Sequence, residues 1–355
     1  MSNEDLQPIY DIVKAKISHD LDPIMLKFGE ALETTLQHWT AYKRVHLFDN
    51  NREPDILLRI VDGTSFNASV FKHKDRYFVG INEGVLQYST FYFFSLLSNP
   101  ALFPEVGSPA LETKPKELKP WIDANDFNFS CNQNEVCIPT CKRRSLFALS
   151  LALRAAQFVL GHEINHVYRG HYDFWCDHMS LQGSLMQETP SLNLTNEQKE
   201  TRYLLEWDAD QISLNGLIAV NLQSHLVVDE SAGDDPPPTQ AEIISTCVYA
   251  TATVIHLLSE RERRQGPTEY YPSMMARTLS LRCAVNFLNQ MNKNHEDNSR
   301  LVNDAVVSAG RDFASTMDVS TSDWKNLVEQ AGKKNIQSLQ DWKPLAKGLK
   351  KFAYS

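Results

Sequence analysis

Apolar residues recur at spacings of three and four through residues 4–45. Ile9, Ile12, Val13 and Ile17 form one stripe, and Met25, Phe28, Leu32 and Leu36 another. That period predicts two amphipathic helices. Asp22-Pro23 separates them, because the residue before a proline is pushed out of the helical region. The rhythm changes between residues 55 and 82. The runs ILLRIV, FNASVF and YFVGI are short, apolar and rich in β-branched or aromatic residues, which predicts strands. Asp62-Gly63 and the charged stretch 73–76 predict turns between them. Three such strands close in sequence predict a small antiparallel sheet.

An apolar helix is predicted over residues 86–98. Residues 99–142 carry six prolines (Pro100, Pro104, Pro109, Pro115, Pro120 and Pro139). They read as irregular structure too long for a simple connector, of the kind that often covers a site. From Arg144 to Tyr168 the chain is apolar on nearly every face as far as Gly161, which predicts a central, buried helix. Further helices are predicted over residues 196–220 and 241–260, from near Ser273, and as short pieces over 300–355. The pattern predicts a mainly helical α+β protein. Its expected division is an N-terminal helical segment (1–50), a catalytic body (51–290) and a C-terminal helical segment (291–355). The acidic, proline-rich stretch 229–240 reads as an exposed loop.

Composition narrows the function. The chain has 355 residues, 42% hydrophobic and 22% charged, with a formal charge of −9. Such a surface is unsuited to non-specific nucleic-acid binding, which needs cations to neutralise phosphates. The locally basic stretch Lys343–Lys351 reads as a solvated helix end. The first residues, MSNEDLQPIYD, lack the basic start and apolar run of a secretory signal. No run of 18 apolar residues occurs, so no membrane span is expected. Six cysteines are too few for a disulfide framework; reduced thiols and a cytoplasmic location are the expectation. Cys131, Cys137 and Cys141 lie close together, but their spacing departs from that of structural zinc knuckles.

The strongest signal is Gly161-His162-Glu163-Ile164-Asn165-His166. On a helix, residues four apart share a face, so both imidazoles can address one ion. Glu163 falls beside that face, within reach of a water at the ion without being a ligand. With 11 histidines in the chain, the pattern arises by chance roughly 0.02 times. A buried apolar helix is also an expensive place for three ionisable groups unless a cation compensates them. A second signal, Glu206-Trp207-Asp208-Ala209-Asp210, follows on a predicted helix. Glu206 would be a third ligand, leaving the fourth position open as a catalytic zinc requires. Asp210, on the same face, could hold a ligand imidazole in one tautomer. Asp208 or Asp210 could instead be the third ligand.

HExxH followed by ExxxD resembles the gluzincin zinc metallopeptidases, which include the thermolysin-like enzymes and the prenyl-protein and heat-shock membrane proteases. The resemblance covers about 50 residues well. It implies a zincin-like fold with a small sheet before the HExxH helix. It also implies Zn²⁺ held by His162, His166 and Glu206, Glu163 as base, and Asp210 against the first histidine. A weaker likeness to the membrane proteases lies in Tyr271-Pro272-Ser273 and Arg277, though Tyr271 stands where they carry His and their membrane spans are missing.

The function expected is hydrolysis of peptide bonds in a protein or peptide substrate by a water that Glu163 activates. Residues 76–82 would be the edge strand that pairs with the peptide. Tyr270, Tyr271 and Arg277 are the candidates for stabilising the charge that develops on the carbonyl oxygen. His171 lies nine residues from His162, half-way round a continuing helix, and reads as a surface or site-rim residue. His178 and Cys176 read as ordinary loop or core residues. Two other readings fit the same residues: a zinc hydrolase of a non-peptide amide, and a non-catalytic helical interaction protein with a structural metal site.

Overall fold

The computed structural model describes residues 16–17, 23–46, 53–63, 65–112, 138–178, 194–225, 238–265, 277–278, 280–292, 294–317 and 324–353. It is mainly helical with a small mixed sheet. Helix α1 (Pro23–His46) begins on its proline, whose missing N–H costs nothing at a first helical position. The earlier helical stripe departs from expectation at its end: Lys16–Ile17 form a short strand, β1, pairing with residues 61–62. Pairing with a sheet edge there overrides local periodicity. The rest of that stripe, residues 4–15, lies outside the described residues.

The three strands predicted between residues 55 and 82 are present as β2 (Asp55–Asp62), β3 (Ala68–His73) and β4 (Arg76–Asn82). Strands β3 and β4 form a tight hairpin closed at His73↔Arg76, with Lys74 in the left-handed region at φ +56°. Strand β4 then lies parallel to β2, in register from Asp55↔Arg76 to Val61↔Asn82. The sheet order is β1-β2-β4-β3. It is therefore mixed, not antiparallel, and residues 76–82 are its centre rather than an edge. The outer strand on that side is β3. Strand signals mark which residues are extended but not which strands become neighbours. Only the hairpin is coded locally.

Helix α2 (Glu83–Leu97) follows β4 directly. Helix α3 (Lys142–Tyr168) is central, as its all-round apolar sequence requires: residues from Ala155 to Tyr168 are buried almost without a break. It packs against α2, α5 (Asn196–His225), α6 (Gln240–Gln265) and β3. A short helix, α4 (His171–His178), continues from it. Lys72 Nζ of β3 lies 3.1 Å from Asp173 of α4, and Tyr77 Oη donates to the same carboxylate. Helices α7 (Cys283–Asn292), α8 (His295–Met317) and α9 (Trp324–Leu349) complete the described elements. The last two replace the short pieces expected over 300–355. Their long runs rest on tertiary packing: Val302, Ala305, Ala309 and Phe313 of α8 are buried at helical spacing, and α8 lies along α6. A helix start near Ser273 lies outside the described residues.

Helix α3 and residues 240–258 of α6 are long and apolar enough to cross a membrane, with hydropathies of 1.3 and 1.5. Two-thirds or more of their most apolar stretch (67% and 72%) is buried inside the protein, and both contribute to its core. Leu32 and Trp39 of α1, and Phe313 of α8, share that core with α3. At the start of α3, fully buried Arg144 organises the proline-rich stretch. Its guanidinium donates to the carbonyls of Leu97, Asn99, Leu102, Phe103 and Val106 at 2.7–3.0 Å.

The glycine that opens the histidine motif has a packing reason. A Cβ on Gly161 would overlap the Trp39 indole, and one on Gly216 of α5 would come within 2.6 Å of it. The indole thus sits where α1, α3 and α5 meet. Gly161→Ala is expected to cost about 1–3 kcal/mol by overpacking. Chemical denaturation reads this, and adding Trp39→Leu should recover part of the loss. Full stability in the single variant would contradict the packing.

Candidate metal centre

His162 and His166 stand one turn apart on α3, with ring centroids 4.8 Å apart and ring planes at 76°. Across from them, Glu206 projects from α5. His162 Nε2 lies 3.0 Å from Glu206 Oε2, His166 Nε2 lies 3.1 Å from His162 Nε2, and His166 Nε2 lies 3.7 Å from Glu206 Oε2. All three residues are buried and can hold one metal ion; among the described residues they are the group so placed. The third-ligand alternatives are engaged elsewhere. Asp210 faces the other nitrogen of His162, and Asp208 faces Arg169 and His171.

Each member of the group is held by a partner. Asp210 Oδ1 accepts from His162 Nδ1 at 2.9 Å, which leaves His162 Nε2 as the nitrogen turned to the centre. Asp210 also takes Arg277 in a two-pronged pair, Nε at 2.7 Å and Nη2 at 2.8 Å. Arg202, one turn before Glu206 on α5, places Nε 2.7 Å from Glu206 Oε1. His171 Nδ1 lies 3.2 Å from His166 Nδ1.

The electrostatics keep both carboxylates charged beside His162, each paired with an arginine. Burial disfavours a charged Glu206, but Arg202 and then His166 hold its carboxyl well below the usual range. Burial likewise opposes a charged Asp210, and Arg277 with His162 lowers it. His162 thus meets a carboxylate on each nitrogen. Burial works against its charged form, yet Asp210 and Glu206 overcome it and raise its pKa to about 10. Burial keeps His166 neutral, with its pKa down to about 3. Without a metal, His162 would hold a proton between the two carboxylates; a metal ion on its Nε2 would displace that proton on binding.

The site opens on one side to a small, partly open pocket. His162, Glu163 and Arg277 line it together with Phe66, Ala68, Phe158 and Leu258. Glu163 is buried at the pocket wall, one residue from the first histidine and outside the ligand group.

No family model, curated protein or solved structure matches the chain. The likeness to gluzincins therefore rests on the motif residues alone.

The structure brings together His162, Glu163, His166, Glu206, Asp210 and Arg277 of the residues singled out for the site. Arg277 is tied to Asp210 rather than standing alone in the pocket. Tyr271 and its neighbour Tyr270 lie outside the described residues, as do Cys131 and Cys137. Among the described residues, Cys141, Cys176, Cys247 and Cys283 form no disulfide.

His171 is a correction. It is fully buried against His166, not a surface or rim residue. Helix α3 ends at Tyr168, Arg169 caps it, and Gly170 takes φ +71°, a conformation glycine adopts without strain. The chain turns there and α4 carries His171 back under the site. Sequence reasoning also passed over Arg202 and Arg169. The i,i+4 spacing of Arg202 and Glu206 was the available signal for the first.

Proposed function

We propose that the chain is a zinc-dependent peptidase. The observation that carries the proposal is the triangle of buried donors His162 Nε2, His166 Nε2 and Glu206 Oε2, with sides of 3.0, 3.1 and 3.7 Å. Tetrahedral zinc with bonds of about 2.0–2.1 Å spaces its ligand atoms by about 3.3–3.4 Å. Two imidazoles and one carboxylate are also the donor set of catalytic zinc sites in peptidases. When bound, zinc supplies Lewis acidity, polarising the scissile carbonyl and lowering the pKa of a water toward 7.

The chain's own residues supply the rest. Glu163, on the pocket wall, takes a proton from the attacking water and returns it to the leaving amine. Asp210 and Arg277 hold His162 in one tautomer. The apolar walls from Phe66, Phe158 and Leu258 favour a substrate with an apolar side chain near the scissile bond.

On the outer side of β3, Lys72 N–H points away from β4 and donates to Tyr172 Oη at 3.0 Å. By the two-residue alternation of an antiparallel ladder, Val70 and Ala68 turn their N–H and C=O groups to the same side. Both residues are buried, so this edge is covered by the chain itself. Ala68 is also part of the pocket that contains His162 and Glu163.

The test is a mixed peptide library incubated with the purified chain. Cleavage should stop with a zinc chelator and resume when zinc is restored, and cut sites should share an apolar residue. Zinc-dependent turnover of small amides with no peptide cleaved would favour the non-peptide hydrolase. No turnover of either by the zinc-loaded chain would leave a structural metal site.

A further inference from the structure

Asp210 holds His162 directly, but His166 is held differently. With His166 Nε2 turned to the metal group, its Nδ1 lies 3.2 Å from His171 Nδ1. His171 is fully buried, and its Nε2 lies 3.2 Å from Asp208 Oδ2. Asp208 in turn takes Arg169, with Nε at 3.0 Å and Nη2 at 3.4 Å. We infer that His171, backed by Asp208 and Arg169, is the positioning residue of His166: a relay of two imidazoles and one carboxylate that fixes which nitrogen of His166 faces the metal. The inference rests on the metal reading of the previous subsection.

Proton placement follows from valence. A metal on His166 Nε2 requires the proton on Nδ1. That N–H donates to His171 Nδ1, which must then be the bare nitrogen. The proton of His171 therefore sits on Nε2, beside the Asp208 carboxylate, in a 3.2 Å contact rather than an aligned hydrogen bond. Every position in the chain has one consistent assignment, and reversing any of them sets two N–H groups or two lone pairs against each other. The two ligand histidines are thereby treated unequally. His162 has a carboxylate at 2.9 Å, whereas His166 has one only at the far side of a second imidazole.

The fold goes to some length to build this. Had α3 continued, residue 171 would fall about 140° round from His166. The turn at Gly170 removes that offset, and a Cβ there would strike the backbone of Phe352. On α5, Asp208 is about 200° from Glu206, so one helix serves the metal from one face and the relay from the other. Trp342 of α9 closes the outer side. Its ring meets His171 edge to face at 6.0 Å, and Arg169 lies 5.9 Å from its centroid.

The experiment measures zinc affinity of the metal-free chain by competition with a chelator of known affinity, together with the visible absorption of the cobalt-substituted form. His171→Phe keeps the ring and removes the acceptor; His171→Gln keeps an acceptor; Asp208→Asn removes the charge at the far end. Thermal melting of each metal-free protein checks folding. Expected for His171→Phe are zinc binding weaker by about 10–100-fold, the usual cost of losing such a partner, and an altered cobalt spectrum. His171→Gln should recover much of the affinity, and Asp208→Asn should fall between wild type and His171→Phe. Affinity unchanged in folded His171→Phe or Asp208→Asn overturns the relay, as does a glutamine variant no better than phenylalanine. A wild-type chain that takes up no zinc overturns the metal reading itself, and that one sample separates the two failures.

Discussion

Glu163→Gln is expected to lower peptide hydrolysis by about 10²–10⁴-fold while the chain keeps its zinc, because a positioned general acid–base contributes on that scale. Glutamine has nearly the same shape, so the pocket wall it shares with His162 and Phe158 should be preserved. What it lacks is the ability to accept a proton from water and deliver it to the leaving amine. Metal content and turnover, measured on the same preparation, should therefore separate. Loss of zinc along with activity would mean that Glu163 belongs to the ligand group. Undiminished turnover would remove it from the mechanism. A catalytically dead chain that still holds zinc is also suited to capturing an uncleaved substrate.

The second large effect is expected at Asp210. Its carboxylate is fully buried and serves two partners, His162 Nδ1 at 2.9 Å and Arg277 at 2.7 and 2.8 Å. Asp210→Ala would leave a buried guanidinium without the carboxylate that holds two of its nitrogens. Removing one member of such a pair typically costs about 3–5 kcal/mol. The same change frees the His162 ring, with a further expected loss of about 10–100-fold in zinc affinity. Asp210→Asn should separate the two losses. It keeps an oxygen for His162 but removes the charge facing Arg277, so affinity should suffer less than stability. Denaturant melts of the metal-free variants, with zinc competition on those that fold, read both. A stable Asp210→Ala chain with normal affinity would show that the geometry around His162 does not depend on this residue.

How much of this was legible in the sequence follows from distance along the chain. The pair His162 and His166 is a local spacing on one helix, and so is Glu206 with Asp210. Each could be read before any folding was considered, and the two pairs meet as expected. The three strands between residues 55 and 82 were equally local. Their order was not, because inserting β4 between β2 and β3 depends on packing across the whole body. That single rearrangement made β3, not residues 76–82, the outer strand on that side. His171 was misread for a related reason. Extrapolating α3 by its 100° step put the residue on the far side, and one glycine with φ +71° reversed the result. Arg144 was beyond reach altogether, since the carbonyls it gathers are brought together only by the fold. Helix α8 shows the same limit: its buried residues are spaced helically, but the face that covers them lies on α6.

The central claim is that His162, His166 and Glu206 hold one zinc ion. Its most direct test is the metal content of the chain by inductively coupled plasma mass spectrometry, after purification without chelator or immobilised metal, beside His162→Ala. About one zinc per wild-type chain and none in His162→Ala is the expected result. No metal in the wild type, even after zinc is added to the folded protein, would contradict it.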